Sequence, residues 1–207
     1  MAVATATVSS GSTWTESVAM DVDGRVRLPR AGAISAALLR ITLGLVYLWA
    51  FVSQGLGVGY TNTDSPAGTP AGQVTYGWHF SYDAADGWIT SGFTHSPTAP
   101  YVDSTHGPTA WLVQNLPTGV DDFGWMFAIG GLGIALTFGI CSRIAGWGGL
   151  LLNLLIWFAS FPPSGNPVVD GTHTTYALVI FLSMWLHASN YWGVGRWWRA
   201  RTPAFLH

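Results

Sequence analysis

The chain has 207 residues, of which 49% are hydrophobic, 14% aromatic and only 9% charged. So few charges cannot cover a water-soluble protein of this length. The net charge of −2 and the absence of a basic stripe offer nothing that would bind nucleic acid. A single Cys excludes an internal disulfide. The composition predicts a membrane protein whose main partner is the lipid bilayer.

The N-terminal region is polar and rich in small residues. It has no basic stretch followed by a short apolar core, so it does not resemble a cleaved secretory signal. We expect residues 1–33 to form a flexible cytoplasmic tail. The first apolar segment then serves as an uncleaved signal anchor.

Four apolar segments follow, at residues 34–56, 123–140, 144–161 and 174–191. Each is close to the ~20 residues that a helix needs to cross ~30 Å of hydrocarbon. The sequence therefore predicts an all-α membrane protein, a four-transmembrane-helix bundle that occupies residues 34–198. Residues 199–207 would form a cytoplasmic C-terminal tail.

The positive charges predict the orientation. The chain has no Lys, and no Arg lies between Arg40 and Arg143. Since Lys and Arg near membrane ends stay on the cytoplasmic side, both termini should be cytoplasmic, in the plasma membrane. Residues 57–122 should then form a long extracytoplasmic segment between the first two helices. The eight Arg are Arg25, Arg27, Arg30, Arg40, Arg143, Arg196, Arg199 and Arg201.

This outer segment is too aromatic for a disordered linker, and we expect it to be ordered. A short helix is predicted from Asp83 through Phe93, with Asp83 as its N-cap. The acidic pair Asp121 and Asp122 should lie at the outer start of the second membrane helix, where negative charge suits the helix dipole.

The second and third helices are joined by three residues and must form an antiparallel hairpin. Small residues permit close approach of helix backbones in a membrane. Glycines therefore predict tight packing between these two helices: Gly130, Gly131, Gly133 and Gly139 on one, and Gly146, Gly148 and Gly149 on the other.

Arg40 is the only charge well inside a predicted span, roughly 9 Å beyond residue 34. An intramembrane charge is costly and marks a functional candidate, here for contact with an anionic group. The alternative is that the side chain extends to the inner interface without further function.

Four His lie on the predicted outer side: His79, His95, His106 and His173. None of them has the short spacing of a metal site, so no metal is predicted. Trp78, His79 and His173 are instead candidates for binding a flat ring with carbonyl groups, which needs a hydrogen-bond donor beside a flat apolar wall. Packing within loops is the alternative for the same residues. No nucleophile with a base is visible, so no catalytic residue is assigned.

Several motifs resemble the DoxX/DoxD family of integral membrane proteins. The resemblance covers roughly residues 34–198, and Ser96-Pro97 at the end of the outer segment favours the DoxD-like branch. That branch is similar to the membrane subunit of thiosulfate:quinone oxidoreductase. It implies a quinone cofactor, a partner subunit and a role in sulfur oxidation. With a quinone as the ligand, Trp78, His79 and His173 become candidates for contact with its headgroup, and Arg40 for contact with the quinone or an anionic group. The motifs are LRITLG at 39–44, GIALTFG at 133–139, Arg143-Ile144-Ala145, Asn166-Pro167, His173 with Tyr176, and 192–198.

Two positions depart from the family pattern. Many relatives carry a Lys near Gln54 and a Glu at the position of Ile129. The leading hypothesis is a membrane subunit of a quinone-linked oxidoreductase. The alternative is a non-catalytic subunit that anchors or organises a partner. A transporter is disfavoured because no broken helix or inverted repeat stands out.

Overall fold

The computed structural model describes residues 29–61, 79–162 and 172–203, and it is mostly helical. Two short strands form one antiparallel pair in which Val58 faces Tyr82 and Thr61 faces His79. The elements in chain order are α1 (Arg30–Leu56), β1 (Val58–Thr61), β2 (His79–Tyr82), α2 (Ala99–Ser104), α3 (Ala110–Gln114), α4 (Thr118–Phe138), α5 (Ser142–Ala159), α6 (His173–Trp185), a 3₁₀ turn (Ala188–Asn190) and α7 (Gly195–Arg199).

Among the described residues, three helices are long and apolar enough to cross a bilayer: α1, α4 and α5. This is the pattern of a multi-pass membrane protein, as the composition predicts. The fourth predicted segment differs. Helix α6 ends at Trp185 after 13 residues, and the backbone then turns through a left-handed residue, His187, with φ 49°. Helix α6 is therefore shorter than the 18 residues predicted for 174–191.

The core lies among α1, α4, α5 and α6. Helix α1 packs chiefly against α4, and α5 packs chiefly against α6. Leu43 and Tyr47 of α1 meet Met126 and Ile129 of α4 in the central cluster. Asn153 of α5 is buried beside them, and its amide donates to the Tyr47 hydroxyl at 2.7 Å and to the Gly149 carbonyl at 2.7 Å. The bond to Tyr47 is an interhelical hydrogen bond, the usual way in which an amide within a membrane helix finds a partner.

The glycines fit a different pairing from the predicted one. A Cβ on Gly133 would lie 2.8 Å from the Leu48 nitrogen of α1, and one on Gly146 would lie 2.4 Å from Met184 of α6. Gly131 and Gly148 face open space. The glycines therefore bring α4 close to α1 and α5 close to α6. Among these glycines, only Gly149 lies close to the other helix of the predicted hairpin, since a Cβ on it would lie 2.9 Å from Leu132 of α4.

Between α1 and α4, the described residues are built from turns and short elements. The helix predicted over Asp83 to Phe93 is wrong, because this stretch forms consecutive turns. Gly92 and Phe93 both have φ 67°, which a right-handed helix does not allow. Asp83 still caps locally, since its carboxylate accepts from the Ala85 amide at 2.9 Å.

Gly44 tests the contact between α1 and α4. A Cβ there would lie 2.5 Å from the Thr137 backbone nitrogen, so Gly44→Ala should lower the free energy of unfolding by about 2 kcal/mol through overpacking. Gly131→Ala is the matched control because nothing lies within 4 Å of its Cβ, and Ala favours a helix over Gly. Thermal unfolding in detergent measures both variants. Equal unfolding temperatures would contradict the close packing.

Candidate functional site

Arg40 is buried at the end of the bundle where α4 ends, with 2% of its surface exposed. Its Nη1 donates to the carbonyls of Leu136 and Thr137, the latter at 3.2 Å, and its Nη2 donates to the Trp192 carbonyl. One guanidinium thus joins α1, the end of α4 and the segment after α6.

These contacts complete the hydrogen bonding at the end of α4. The last four carbonyls of a helix have no partner within it, and in lipid each one left without a donor is costly. A cation at this end also opposes the negative end of the helix dipole. All four carbonyls have partners: Ala135 with the Gly139 amide, Leu136 and Thr137 with Arg40, and Phe138 with the Val194 amide.

The Arg40 site is structural in character. The side chain is enclosed by protein, so it does not extend to an interface as the alternative proposed. The cavity beside it is only about 10 Å³, which is too small for a quinone ring. The Nη1 and Nη2 groups of Arg40 also donate to backbone carbonyls.

Arg40 can be tested by two substitutions. Arg40→Leu leaves three carbonyls without their donor, and we expect a loss of about 3 kcal/mol in stability. Arg40→Lys should recover only part of this, because one ammonium cannot reach both α4 and Trp192 in the way that a planar guanidinium does. The unfolding temperature of purified protein measures both. Native stability of Arg40→Lys would show that charge alone is sufficient.

A cavity of about 500 Å³ with largely apolar walls, called the main cavity below, lies near the opposite end of the bundle. Helices α4 and α5 touch at Leu132 and Gly149 and separate beyond that level. Val120 and Gly124 of α4 and Leu152 and Ile156 of α5 line the resulting gap. Arg40 contacts α4 roughly 17 Å further along its axis, so Arg40 and this cavity are separate.

The segment 96–101 covers the cavity and is fastened to the membrane helices. The buried Asp122 carboxylate accepts from the Ser96 hydroxyl at 2.7 Å, and from the Thr98 hydroxyl at 2.6 Å and amide at 3.3 Å. The Tyr101 hydroxyl donates to the Ile156 carbonyl at 3.0 Å. Asp122, near the start of α4, thus holds the Ser96-Pro97 motif in place.

Polar groups reach into this apolar space from several elements. The Trp125 indole donates to the Gln54 side-chain oxygen at 2.6 Å, which identifies the amide oxygen and leaves the Gln54 NH₂ group as a donor. His173, the first residue of α6, and Asp121 also line the cavity. Few polar groups among apolar walls are typical of small-molecule sites, and the volume lies within their usual range.

Tyr101 is held in its protonated form. Burial raises the pKa of its phenol, and the nearby Asp121 carboxylate raises it further, against the opposing hydrogen bond from Ser160. The neutral phenol therefore keeps its single proton for the Ile156 carbonyl at physiological pH, which holds the covering segment in place.

The structure tests the predicted convergence only in part. His173 lines the cavity. Trp78 lies outside the described residues, and for His79 only the backbone, at the start of β2, is described. Arg40 does not join them. The convergence of Trp78 and His79 with His173 stays a prediction.

A second cavity of about 550 Å³ adjoins the first, with Gln54 and Pro97 in the walls of both. His95, Asp83 and Asp86 give it a more polar lining. Within residues 29–61, 79–162 and 172–203, no three metal-ligating side chains lie close enough to hold a metal ion.

The sequence did not single out Trp125, Tyr101 or Gln54 as site residues. The sequence did contain a signal for Trp125. Gly124 and Trp125 lie three and four residues after Asp121, so all three share a helix face. An acid, a glycine and a tryptophan on one face of an apolar helix are unusual for a surface in contact with lipid only. Tyr101 carried no such signal because its position depends on the fold of the covering segment.

Comparison with protein-family models, with curated proteins and with solved structures found no match. The functional interpretation therefore depends on the site itself and on the sequence motifs.

Proposed function

We propose that this chain is the membrane subunit of a quinone-linked oxidoreductase similar to the DoxX/DoxD family, and that the main cavity holds the quinone headgroup. The observation that carries the proposal is the cavity lining: apolar walls, the flat Trp125 indole, and the polar groups of Tyr101, Gln54 and His173. A quinone is a flat neutral ring with carbonyl acceptors, to which the Gln54 NH₂ group can donate while the Trp125 indole supplies a flat apolar wall.

The charges support a division of labour with a partner. No described residue lining the cavity is Lys or Arg, and residues 57–122 contain six Asp and no cation. Such a surface repels a sulfur oxyanion such as thiosulfate. Oxidation of the donor would therefore take place on a partner subunit. The quinone would receive two electrons from that partner and two protons, and leave as the quinol.

The two departures from the family pattern favour the second candidate function, a non-catalytic anchoring subunit. Ile129 is 1% exposed in the central core, so this chain places an alkyl group at the position where relatives carry Glu. Gln54 supplies an amide where relatives carry a Lys nearby. An anchoring subunit would keep the fold and the partner without binding quinone.

Quinone binding separates these two functions. His173→Ala removes a polar group of the cavity wall, and we expect the Kd for a short-chain quinone to rise roughly tenfold with unchanged protein abundance. The matched control is His106→Ala, since His106 is exposed on a loop outside the cavity. Quenching of tryptophan fluorescence measures the Kd, and quinone reduction by the assembled complex should fall in parallel.

The outcomes differ clearly. Equal Kd values for His173→Ala, His106→Ala and the unsubstituted protein would remove His173 from the site. If the unsubstituted protein binds no quinone but still copurifies with a partner, the anchoring function replaces the proposal. His79→Ala belongs in the same series, because the sequence places His79 with His173.

The proposal includes a four-pass topology with both termini in the cytoplasm. Helix α6 and the 3₁₀ turn would together make the fourth crossing, and residues 57–122 would lie outside. The support is the distribution of Arg, which follows the positive-inside rule.

The topology can be tested with single cysteines introduced into a Cys141→Ala background. Thr94 and Ala200 are both exposed, so each substituted thiol should be reactive. We expect an impermeant thiol reagent to label Thr94→Cys on intact cells, and to label Ala200→Cys only after permeabilisation. Labelling of Ala200→Cys from outside would contradict a cytoplasmic C-terminus.

A further inference from the structure

The mouth of the main cavity lies in apolar, exposed surface. Val120, which lines the cavity on α4, is 58% exposed. Phe123 and Phe127 lie three and seven residues after Val120, so they share its outward face of α4, and their exposures are 63% and 74%. An apolar face of this kind on membrane helices contacts acyl chains, because lipid is its solvent.

Gly124 lies in this mouth. It lines the cavity, is exposed on α4, and has no heavy atom within 4 Å of the position that a Cβ would take. Packing between helices therefore does not require glycine there. A larger residue would extend into the open gap between α4 and α5.

We infer that the ligand reaches the cavity sideways from the bilayer, between α4 and α5, and that its apolar chain leaves the cavity past Gly124. The inference rests on the proposed function for the identity of the ring. The ring lies inward, near Tyr101 and His173, and a prenyl chain extends outward into lipid.

The lining argues against a phospholipid as the occupant. Phosphate groups are held by Arg, Lys or clustered backbone amides. The described lining residues include no cation and include the Asp121 carboxylate. A neutral ring on a prenyl chain avoids the repulsion that this carboxylate would impose on a phosphate. Gly124 therefore determines whether a ligand with a long chain is accepted.

The test compares Gly124→Leu with Gly131→Leu. Both glycines lie on α4 two helical turns apart, both are exposed, and neither has an atom within 4 Å of its Cβ position, but only Gly124 lines the cavity. Leu favours a helix over Gly, so both variants should fold. Gly124→Ala provides a smaller step in the same direction.

The measurement is the equilibrium affinity for two quinones with the same ring, one with a long prenyl chain in liposomes and one without a chain in water. We expect Gly124→Leu to raise the Kd for the long-chain quinone roughly tenfold, and to leave that of the chain-free quinone unchanged. Gly131→Leu should change neither value. Gly124→Ala should give an intermediate long-chain Kd.

Each other outcome has a distinct meaning. If both Leu variants bind the long-chain quinone as the unsubstituted protein does, lateral access past Gly124 is overturned while the headgroup site stands. If Gly124→Leu weakens both quinones equally, Gly124 belongs to the ring site and the inference is again wrong. If the unsubstituted protein binds neither quinone, the proposed function fails and the inference fails with it.

Discussion

The fold depends on how the carbonyls at the end of α4 are satisfied inside lipid. Helix α4 ends at Phe138, and three of its last four carbonyls have donors from outside its own chain segment. Arg40 supplies two of these and the Val194 amide supplies the third. The same guanidinium binds Trp192, so the break after α6 and the end of α4 are stabilised together. A buried cation without a carboxylate is costly unless dipoles solvate it, and here backbone carbonyls do so.

Most of the membrane part could be predicted from the sequence because its signals are local. The ends of α1 and α5 lie within a few residues of the apolar segments, and Asn153 had to find a partner in low dielectric. The predicted pairing of the α4 glycines with the α5 glycines was wrong. Small residues indicate that another helix packs closely, but they do not indicate which helix it is. Helix α6 was predicted too long, since hydropathy continues through Leu186 while the backbone turns at His187.

The site was harder to predict because it depends on tertiary contacts across long sequence separations. Trp125 meets Gln54 across 71 positions, and Tyr101 meets Ile156 across 55. The aromatic content of residues 57–122 predicted an ordered segment, but composition does not specify turns. At residues 84–93 the chain forms turns, although the same residues have a pattern that suits a short helix. His173 lines the cavity at the start of α6, and its contact with a quinone stays a prediction.

The shortness of α6 has a consequence for the bilayer itself. Thirteen residues rise about 20 Å, against a hydrocarbon thickness of about 30 Å. If α6 crosses the membrane, either the bilayer beside it becomes thinner or the residues after Trp185 lie within the hydrocarbon region. Trp185 and Trp192 are exposed at this level, as interfacial tryptophans are. Such hydrophobic mismatch would make the protein sensitive to acyl-chain length and favour thinner membranes.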